Sequence, residues 1–112
     1  MDRGQLLIIP PLFDGTNYAY WKVRMRVFLQ SLDEKVWQAV EIGWTKPKEV
    51  PADWDDAKIK VAKFNSRALN ALFSAVINKE FKKISSTENP KEAWTILQTT
   101  YKGTKAVKDS KF

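Results

Sequence analysis

Residues 11–32 decide the fold, and they read PLFDGTNYAYWKVRMRVFLQSL. In the second part of this stretch, large apolar side chains recur at intervals of three and four, which places them on one face of an α-helix. These side chains are Tyr18, Trp21, Met25, Phe28, Leu29 and Leu32. The spacing predicts a helix from Asn17 to about Ser31, and the polar turn before it offers Thr16 or Asn17 as the N-cap.

The same helix carries a second, narrower apolar stripe, which consists of Tyr20, Val23 and Val27. The main stripe must face the core of the domain, because aromatic side chains such as Trp21 and Phe28 are too large to leave in water. A helix that is apolar on two sides either lies between two neighbours or keeps one side for a partner. The pattern leaves both alternatives open.

On the N-terminal side of this helix the chain is predicted to be extended. Pro10 and Pro11 cannot both occupy a helix interior, and each pushes the residue before it towards extended backbone. We therefore expect an extended arm and turn over residues 1–16, with the apolar residues of the arm lying across the domain. A helical domain is expected over residues 17–112, which makes a single domain overall.

Further helices are expected on the C-terminal side. Asp33 is a favourable cap for a short helix that Gly43 ends. Asp53 begins the segment with the broadest apolar pattern, which is therefore predicted to be the longest and most buried helix. A short turn or helix around residues 81–84 follows it.

Three start signals for a last helix occur together, since Asn89 is an N-cap residue, Pro90 suits the first helical position and Glu92 suits the third. Gly103 is expected to interrupt or end this helix, whose inward residues are Trp94, Leu97 and Tyr101.

Trp21, Phe64, Leu72 and Trp94 are all expected in the core. No segment shows a strand pattern, so we predict an all-α class: a compact bundle of about five helices with an extended N-terminal arm.

The composition excludes several chemistries, because the 112 residues include no cysteine and no histidine. A disulfide framework, a thiol nucleophile, a zinc knuckle and an imidazole base cannot be built from this chain. A nucleophile and its base would have to come from Lys, Tyr, Ser or carboxylate side chains. We therefore expect no enzyme, no cofactor and no metal, and we interpret Asp53, Asp55 and Asp56 as partners of a helix dipole rather than as a cation site.

The charge balance favours either solubility or an anionic partner, since 19 Lys and Arg against 13 Asp and Glu leave a net charge of +6. The residues Lys102, Lys105, Lys108 and Lys111 recur every three positions. In a helix they form either a basic ridge suited to phosphate contact or a solvated last turn that suits the helix dipole. We expect only weak, sequence-independent RNA binding at this segment.

Two other segments bear on partners. The apolar run of residues 6–9 is far shorter than the roughly 20 residues of a membrane span, so we expect no membrane partner and a cytoplasmic location. The proline-containing loop 44–52 is the most favourable place for a binding segment. Trp44 and Trp54 flank that loop, where they either clamp it by packing or line a ligand groove.

The segment Pro11–Met25 resembles the opening of the Gag polyprotein of plant copia-type LTR retrotransposons. The family pattern there is Phe-x-Gly-x-Asn-Tyr-x-x-Trp followed by a basic and apolar helix. In this chain those positions hold Phe13, Gly15, Asn17, Tyr18 and Trp21. A second family block is matched by residues 93–103, which read AWTILQTTYKG. The two blocks stand in the family's order, and the resemblance extends from about residue 11 to the C-terminus.

The resemblance implies a domain similar to the N-terminal helical domain of a retroviral capsid, within the shell of a cytoplasmic virus-like particle. In the family, a second helical domain and later an RNA-binding zinc knuckle follow. The motif residues are then structural, namely Phe13, Gly15, Asn17, Tyr18, Trp21, Trp94, Leu97, Tyr101 and Gly103. Self-association is expected, with Tyr20, Val23 and Val27 as the assembly surface. The alternative is a domesticated Gag-derived binding module that has kept the fold and binds a host protein or a small ligand.

Overall fold

Five α-helices make up most of the part of the chain that the computed structural model describes, which is residues 9–43 and 55–110, with side chains as far as Lys102. They are α1 (Tyr18–Leu32), α2 (Glu34–Glu41), α3 (Asp56–Ser74), α4 (Asn78–Ile84) and α5 (Pro90–Ser110). Within these ranges the only strand-like pairing is an isolated bridge between Phe13 and Val76. The prediction of an all-α bundle is confirmed.

The helix starts follow the capping residues. The Asp33 carboxylate accepts from the backbone N–H of Lys35 at 2.8 Å, and the Asn89 side-chain oxygen accepts from that of Glu92 at 2.9 Å. Each bond satisfies one of the free N–H groups of a first helical turn. Both predicted caps are thus confirmed. Asn17 occupies the N-cap position of α1 in the left-handed region, with φ 53°, but its side chain makes no capping bond.

Two predicted boundaries are wrong. Helix α3 begins at Asp56 rather than at Asp53, because Asp55 is the residue that caps it and accepts from the Lys58 N–H at 2.9 Å. Helix α5 continues through Gly103 to Ser110, which makes it longer than α3 at 21 residues against 19. One glycine costs a helix interior only about 1 kcal/mol, which its neighbours offset. Asp53, Trp54 and the predicted loop 44–52 lie outside the described residues.

The core lies where α1, α2, α3 and α5 meet, with α4 packed against α5. Its buried residues are Phe13, Tyr18, Trp21, Met25, Leu29, Val36, Val40, Ala68, Ala71, Leu72, Ala75, Val76, Ile84, Ala93 and Leu97. Trp21 and Leu72 are buried as predicted, whereas Phe64 and Trp94 are only partly buried at its edge. Helix α3 is not the most buried element either. Its first turns project beyond the core, so that Ile59 and Val61 are exposed.

The segment before α1 is held by hydrogen bonds to two other elements. The Phe13 N–H donates to the Ala75 carbonyl at 2.7 Å, and the Ile77 N–H donates to the Phe13 carbonyl at 3.1 Å. The indole N–H of Trp21 donates to the Pro11 carbonyl at 2.8 Å. These bonds fix the segment before α1 in one position, against both the α3–α4 junction and α1 itself. Residues 1–8 of the predicted arm lie outside the described part.

We predict that Phe13→Ala destabilises the domain by about 3–5 kcal/mol, because it empties a fully buried aromatic site. Trp94→Ala should cost clearly less, since that ring is only partly buried. Urea unfolding followed by circular dichroism measures both losses. An equal or larger loss for Trp94→Ala would contradict this assignment of the core.

Candidate interaction surface

A cluster of aromatic rings fixes the rotation of α1 about its own axis. The Phe13 ring centroid lies 5.7 Å from that of Tyr18, 5.0 Å from that of Trp21 and 4.9 Å from that of Tyr101. Tyr18 stacks on Tyr101 at 5.7 Å, and Trp21 lies 5.7 Å from Trp94. The structure thus brings together residues of the two sequence blocks from opposite ends of the chain. Leu97, on the same helix as Trp94 and Tyr101, is fully buried beside them.

Gly15 is needed at its position for two reasons. Its φ of +96° lies in the region that residues with a side chain rarely adopt. A Cβ there would also lie 3.0 Å from the Glu80 carboxylate. In the same turn, Asp14 accepts from the backbone N–H and the hydroxyl of Thr16, and these bonds lower the pKa of the Asp14 carboxyl.

Glu80 is a buried carboxylate that the sequence pattern did not single out. The Tyr101 hydroxyl donates to it, and the Lys83 ammonium lies 3.2 Å from the same oxygen and donates to the Tyr101 hydroxyl at 2.8 Å. The bond to Tyr101, followed by the smaller influence of Glu80, raises the pKa of Lys83. Burial, and then the bond to Glu80, raises the pKa of Tyr101. These three groups are bound to one another beneath the Gly15 turn, so they join α4 to α5.

The second stripe of α1, which we call the α1 stripe, consists of Tyr20, Val23 and Val27. Their side chains are 76 %, 49 % and 53 % exposed. They lie on the opposite side of the helix from Trp21 and Met25, which the aromatic cluster and the core hold inward. Three large apolar side chains are therefore presented together to solvent.

The arm adds to this face in a way that the sequence did not predict. Leu12 is 63 % exposed and lines a shallow cleft of 340 Å³ together with Tyr20 and Arg24. Ile9 is exposed as well, so these two residues do not lie across the domain as expected. The reason is the alternation of side chains in extended backbone, where burial of Phe13 turns its neighbour Leu12 outward.

The charges around the α1 stripe have both signs, because Asp14 lines the same cleft as Tyr20 and Arg24. Helix α1 contains Lys22, Arg24 and Arg26 and no acidic residue. Arg24 and Arg26 are exposed on either side of the stripe, given the 100° turn per residue of a helix. Lys22 is partly buried, with its ammonium 5.8 Å from the Tyr18 ring centroid. The surface is thus apolar at its centre, with an arginine on each side and the exposed Asp14 carboxylate in the cleft beside Arg24.

A second group of exposed apolar residues lies along a groove of 680 Å³ between α2 and α3, which we call the α2–α3 groove. Its lining residues are Lys35, Gln38, Ala39, Ile42, Gly43, Asp56, Ala57, Lys60, Val61 and Phe64. Ile42 is 68 % exposed and Val61 is 43 % exposed. The sequence placed a candidate ligand groove between Trp44 and Trp54, which lie outside the described residues. The exposure of Ile42 and Val61 depends on where two helices end and begin, so helical periodicity alone did not reveal this groove.

The predicted basic ridge is only partly described. Lys102 is exposed on α5, Lys105 and Lys108 occupy helical positions, and Lys111 lies outside the described residues.

Across residues 9–43 and 55–102, no cluster of three potential metal ligands occurs. None of the described helices combines the length and the apolar character that crossing a bilayer requires.

Residues 13–41 match the model of a family described as "Domain of unknown function (DUF4219)". The matched segment contains the Phe13–Asn17 turn, the α1 stripe and all of α2. No curated protein and no solved structure matches the chain.

We predict that Tyr18→Phe stabilises the domain by about 1 kcal/mol. The Tyr18 hydroxyl is buried and finds no hydrogen-bond partner among the described residues, so its removal relieves a desolvation cost. Urea unfolding at neutral pH measures the change. A loss of stability in Tyr18→Phe would show that the hydroxyl makes a stabilising hydrogen bond in the folded domain.

The same variant has a pH signature. Burial raises the pKa of Tyr18 from 10.0 to about 12. The unfolded chain therefore ionises first, so the stability linked to this group is complete below pH 10 and falls as the pH rises towards 12. Unfolding curves on both sides of pH 10 should show a steeper alkaline loss for the parent chain than for Tyr18→Phe. An equal alkaline loss of stability in the parent chain and in Tyr18→Phe would contradict the raised pKa of a buried Tyr18 hydroxyl.

Proposed function

We propose that this chain is a structural, self-associating domain of the capsid type, which builds the shell of a cytoplasmic virus-like particle of a copia-type retrotransposon. The observation that carries the proposal is the exposed α1 stripe. Its three apolar side chains share a helix with buried Trp21 and Met25 yet remain in contact with water. Such a surface on a small all-α domain is typical of a protein–protein contact.

The family match supports the same role at a coarser level. The domain matched by residues 13–41 is found in retrotransposon Gag-like proteins. Both elements of the proposed assembly role, the α1 stripe and the turn that orients α1, fall inside the matched segment. The assignment to copia-type Gag rests in addition on the second sequence block, residues 93–103, whose Trp94 and Tyr101 complete the aromatic cluster.

The size of the stripe indicates a weak individual contact. Burying a side chain of this kind contributes roughly 1.5–3 kcal/mol, and the loss of rotational and translational freedom offsets much of that sum. A single contact between two domains is therefore weak, and the shell depends on many contacts acting together. We expect the isolated domain to be monomeric in dilute solution and to associate as its concentration rises.

The role is proposed as non-catalytic. The polar side chains that converge in the described part, Glu80, Lys83 and Tyr101, bind one another and hold α4 against α5. They therefore act on stability rather than on a substrate.

The second candidate function is a domesticated Gag-derived module that binds a host protein or a small ligand. The α2–α3 groove favours it, since a concave apolar surface of 680 Å³ is of the size that ligands occupy. Sedimentation separates the two functions. Concentration-dependent oligomers indicate the assembly domain, whereas a strict monomer with a saturable partner indicates the binding module.

We predict that Val23→Asp or Val27→Asp leaves the monomer folded but abolishes particle formation in a full-length Gag context. Both side chains are about half exposed, so a carboxylate there is solvated in the monomer and is buried only at a contact. Electron microscopy of expressed particles gives the readout, and circular dichroism confirms folding. Thr99→Asp, on the exposed surface of α5, is the matched control. Normal particles with either charge on the stripe would show that assembly uses another surface.

We also propose weak, sequence-independent RNA binding through Lys102, Lys105, Lys108 and Lys111, and we predict that it fades steeply with salt because it rests on counterion release. Changing these four lysines to Gln should remove most of the binding of a single-stranded RNA, as measured by fluorescence anisotropy. The control changes four other lysines to Gln, namely Lys58, Lys63, Lys79 and Lys82, which are exposed on α3 and α4. An equal loss in the control, or binding that resists salt and prefers one sequence, would contradict the proposal.

A further inference from the structure

The turn before α1 contains the only Asp-Gly pair of the chain, Asp14–Gly15, and the sequence has no Asn-Gly pair. In such a pair the backbone nitrogen of the glycine attacks the side-chain carboxyl carbon of the aspartate, and a five-membered succinimide ring forms as one water molecule leaves. A water molecule then opens the ring at either carbonyl. One opening restores aspartate, and the other gives isoaspartate, in which the main chain runs through the side-chain carbon. Glycine favours the attack because it has no Cβ to hinder it.

The structure leaves the reacting atoms of this pair accessible. Asp14 is exposed and Gly15 is partly exposed. The Gly15 N–H makes no hydrogen bond to any other described residue. By contrast, the pair Asn65–Ser66, which can form the same ring, lies inside α3, where the helix engages the Ser66 N–H. Of these two pairs, only the one in the turn has a free attacking nitrogen.

Thr16 opposes the reaction at Asp14. Its backbone N–H donates to Oδ1 of Asp14 at 2.9 Å, and its hydroxyl donates to the same oxygen at 2.6 Å. These bonds, the hydroxyl bond most, favour the ionised carboxylate and lower the pKa of the Asp14 carboxyl. The neutral acid is the form that reacts, since its hydroxyl leaves as water. Thr16 thus makes the reactive form scarce and restrains the rotation that ring closure requires.

The turn has no room for isoaspartate. The rearrangement adds one carbon to the main chain between Phe13 and Gly15, and both of these residues are held in place. Phe13 is hydrogen-bonded to Ala75 and Ile77. Gly15 lies so close to the Glu80 carboxylate that even an added Cβ would be 3.0 Å from it. The extra carbon therefore displaces one of the two residues and weakens the contacts that position α1.

We propose that Asp14–Gly15 is a modification site of this protein, where spontaneous isoaspartate formation releases the Phe13 segment, and that Thr16 keeps this reaction slow in the folded domain. The proposal does not depend on self-association. The product carries a free α-carboxylate at position 14, which is the group that isoaspartyl methyltransferases methylate. Such an enzyme therefore serves as the probe.

Ageing of the purified chain at neutral pH tests the proposal, with enzymatic methylation to count isoaspartate and peptide mapping to locate it. The folded chain should form isoaspartate at Asp14 several-fold more slowly than a peptide of residues 11–19. Thr16→Val should raise the rate several-fold, because it removes the hydroxyl bond and keeps the shape of the side chain. Asp14→Glu cannot close the five-membered ring and should form none at this position. Thr99→Val, which removes an exposed hydroxyl from α5, should match the parent chain.

A further variant separates the role of Thr16 from a general loss of stability. Val36→Ala removes part of a fully buried side chain on α2 and leaves the turn unchanged, so it should age at the rate of the parent chain. Circular dichroism checks that all variants fold. The isoaspartate form, enriched by ion-exchange chromatography, should unfold at a lower urea concentration than the parent chain.

Four results would overturn the proposal. Absence of isoaspartate at Asp14 after ageing would remove the site. A folded chain that reacts as fast as the peptide, or a Thr16→Val variant that ages no faster than Val36→Ala, would remove the protective role of Thr16. An isoaspartate form with the urea midpoint of the parent chain would show that Phe13 stays in place. None of these results bears on whether the domain associates, so they leave the proposed function to its own tests.

Discussion

The burial of Phe13 is the interaction on which the rest of the structure depends. Its backbone bonds to the α3–α4 junction through Ala75 and Ile77, and its ring contacts α1 and α5. One residue of extended chain thus joins all the long helices. Because the contact fixes how α1 is rotated, it also decides which side of α1 remains in water. The exposed face follows from the buried one.

The buried carboxylate of Glu80 requires hydrogen-bond partners at the place where α4, α5 and the Gly15 turn meet. Glu80 is 1 % exposed, and an isolated carboxylate in such a place would cost several kcal/mol. Tyr101 and Lys83 satisfy it, and the Gly15 turn covers it without a side chain. The polar bonds have defined directions, unlike the apolar contacts around them. They therefore favour one alignment of α4, α5 and the turn.

The sequence by itself determined the helical class, the caps at Asp33 and Asn89, and the two stripes of α1. These features depend on the period of one helix and on groups within a turn of each other, so local chemistry is sufficient to predict them. Only the tertiary structure decided that Trp94 and Phe64 lie at the edge of the core, that Leu12 points outward, and that Glu80 is buried beneath Gly15. It also placed Ile42 and Val61 along one groove. Each of these facts depends on how separate helices and the arm are placed relative to one another. The periodicity of apolar residues within one helix carries no information about the distance from that helix to its neighbours.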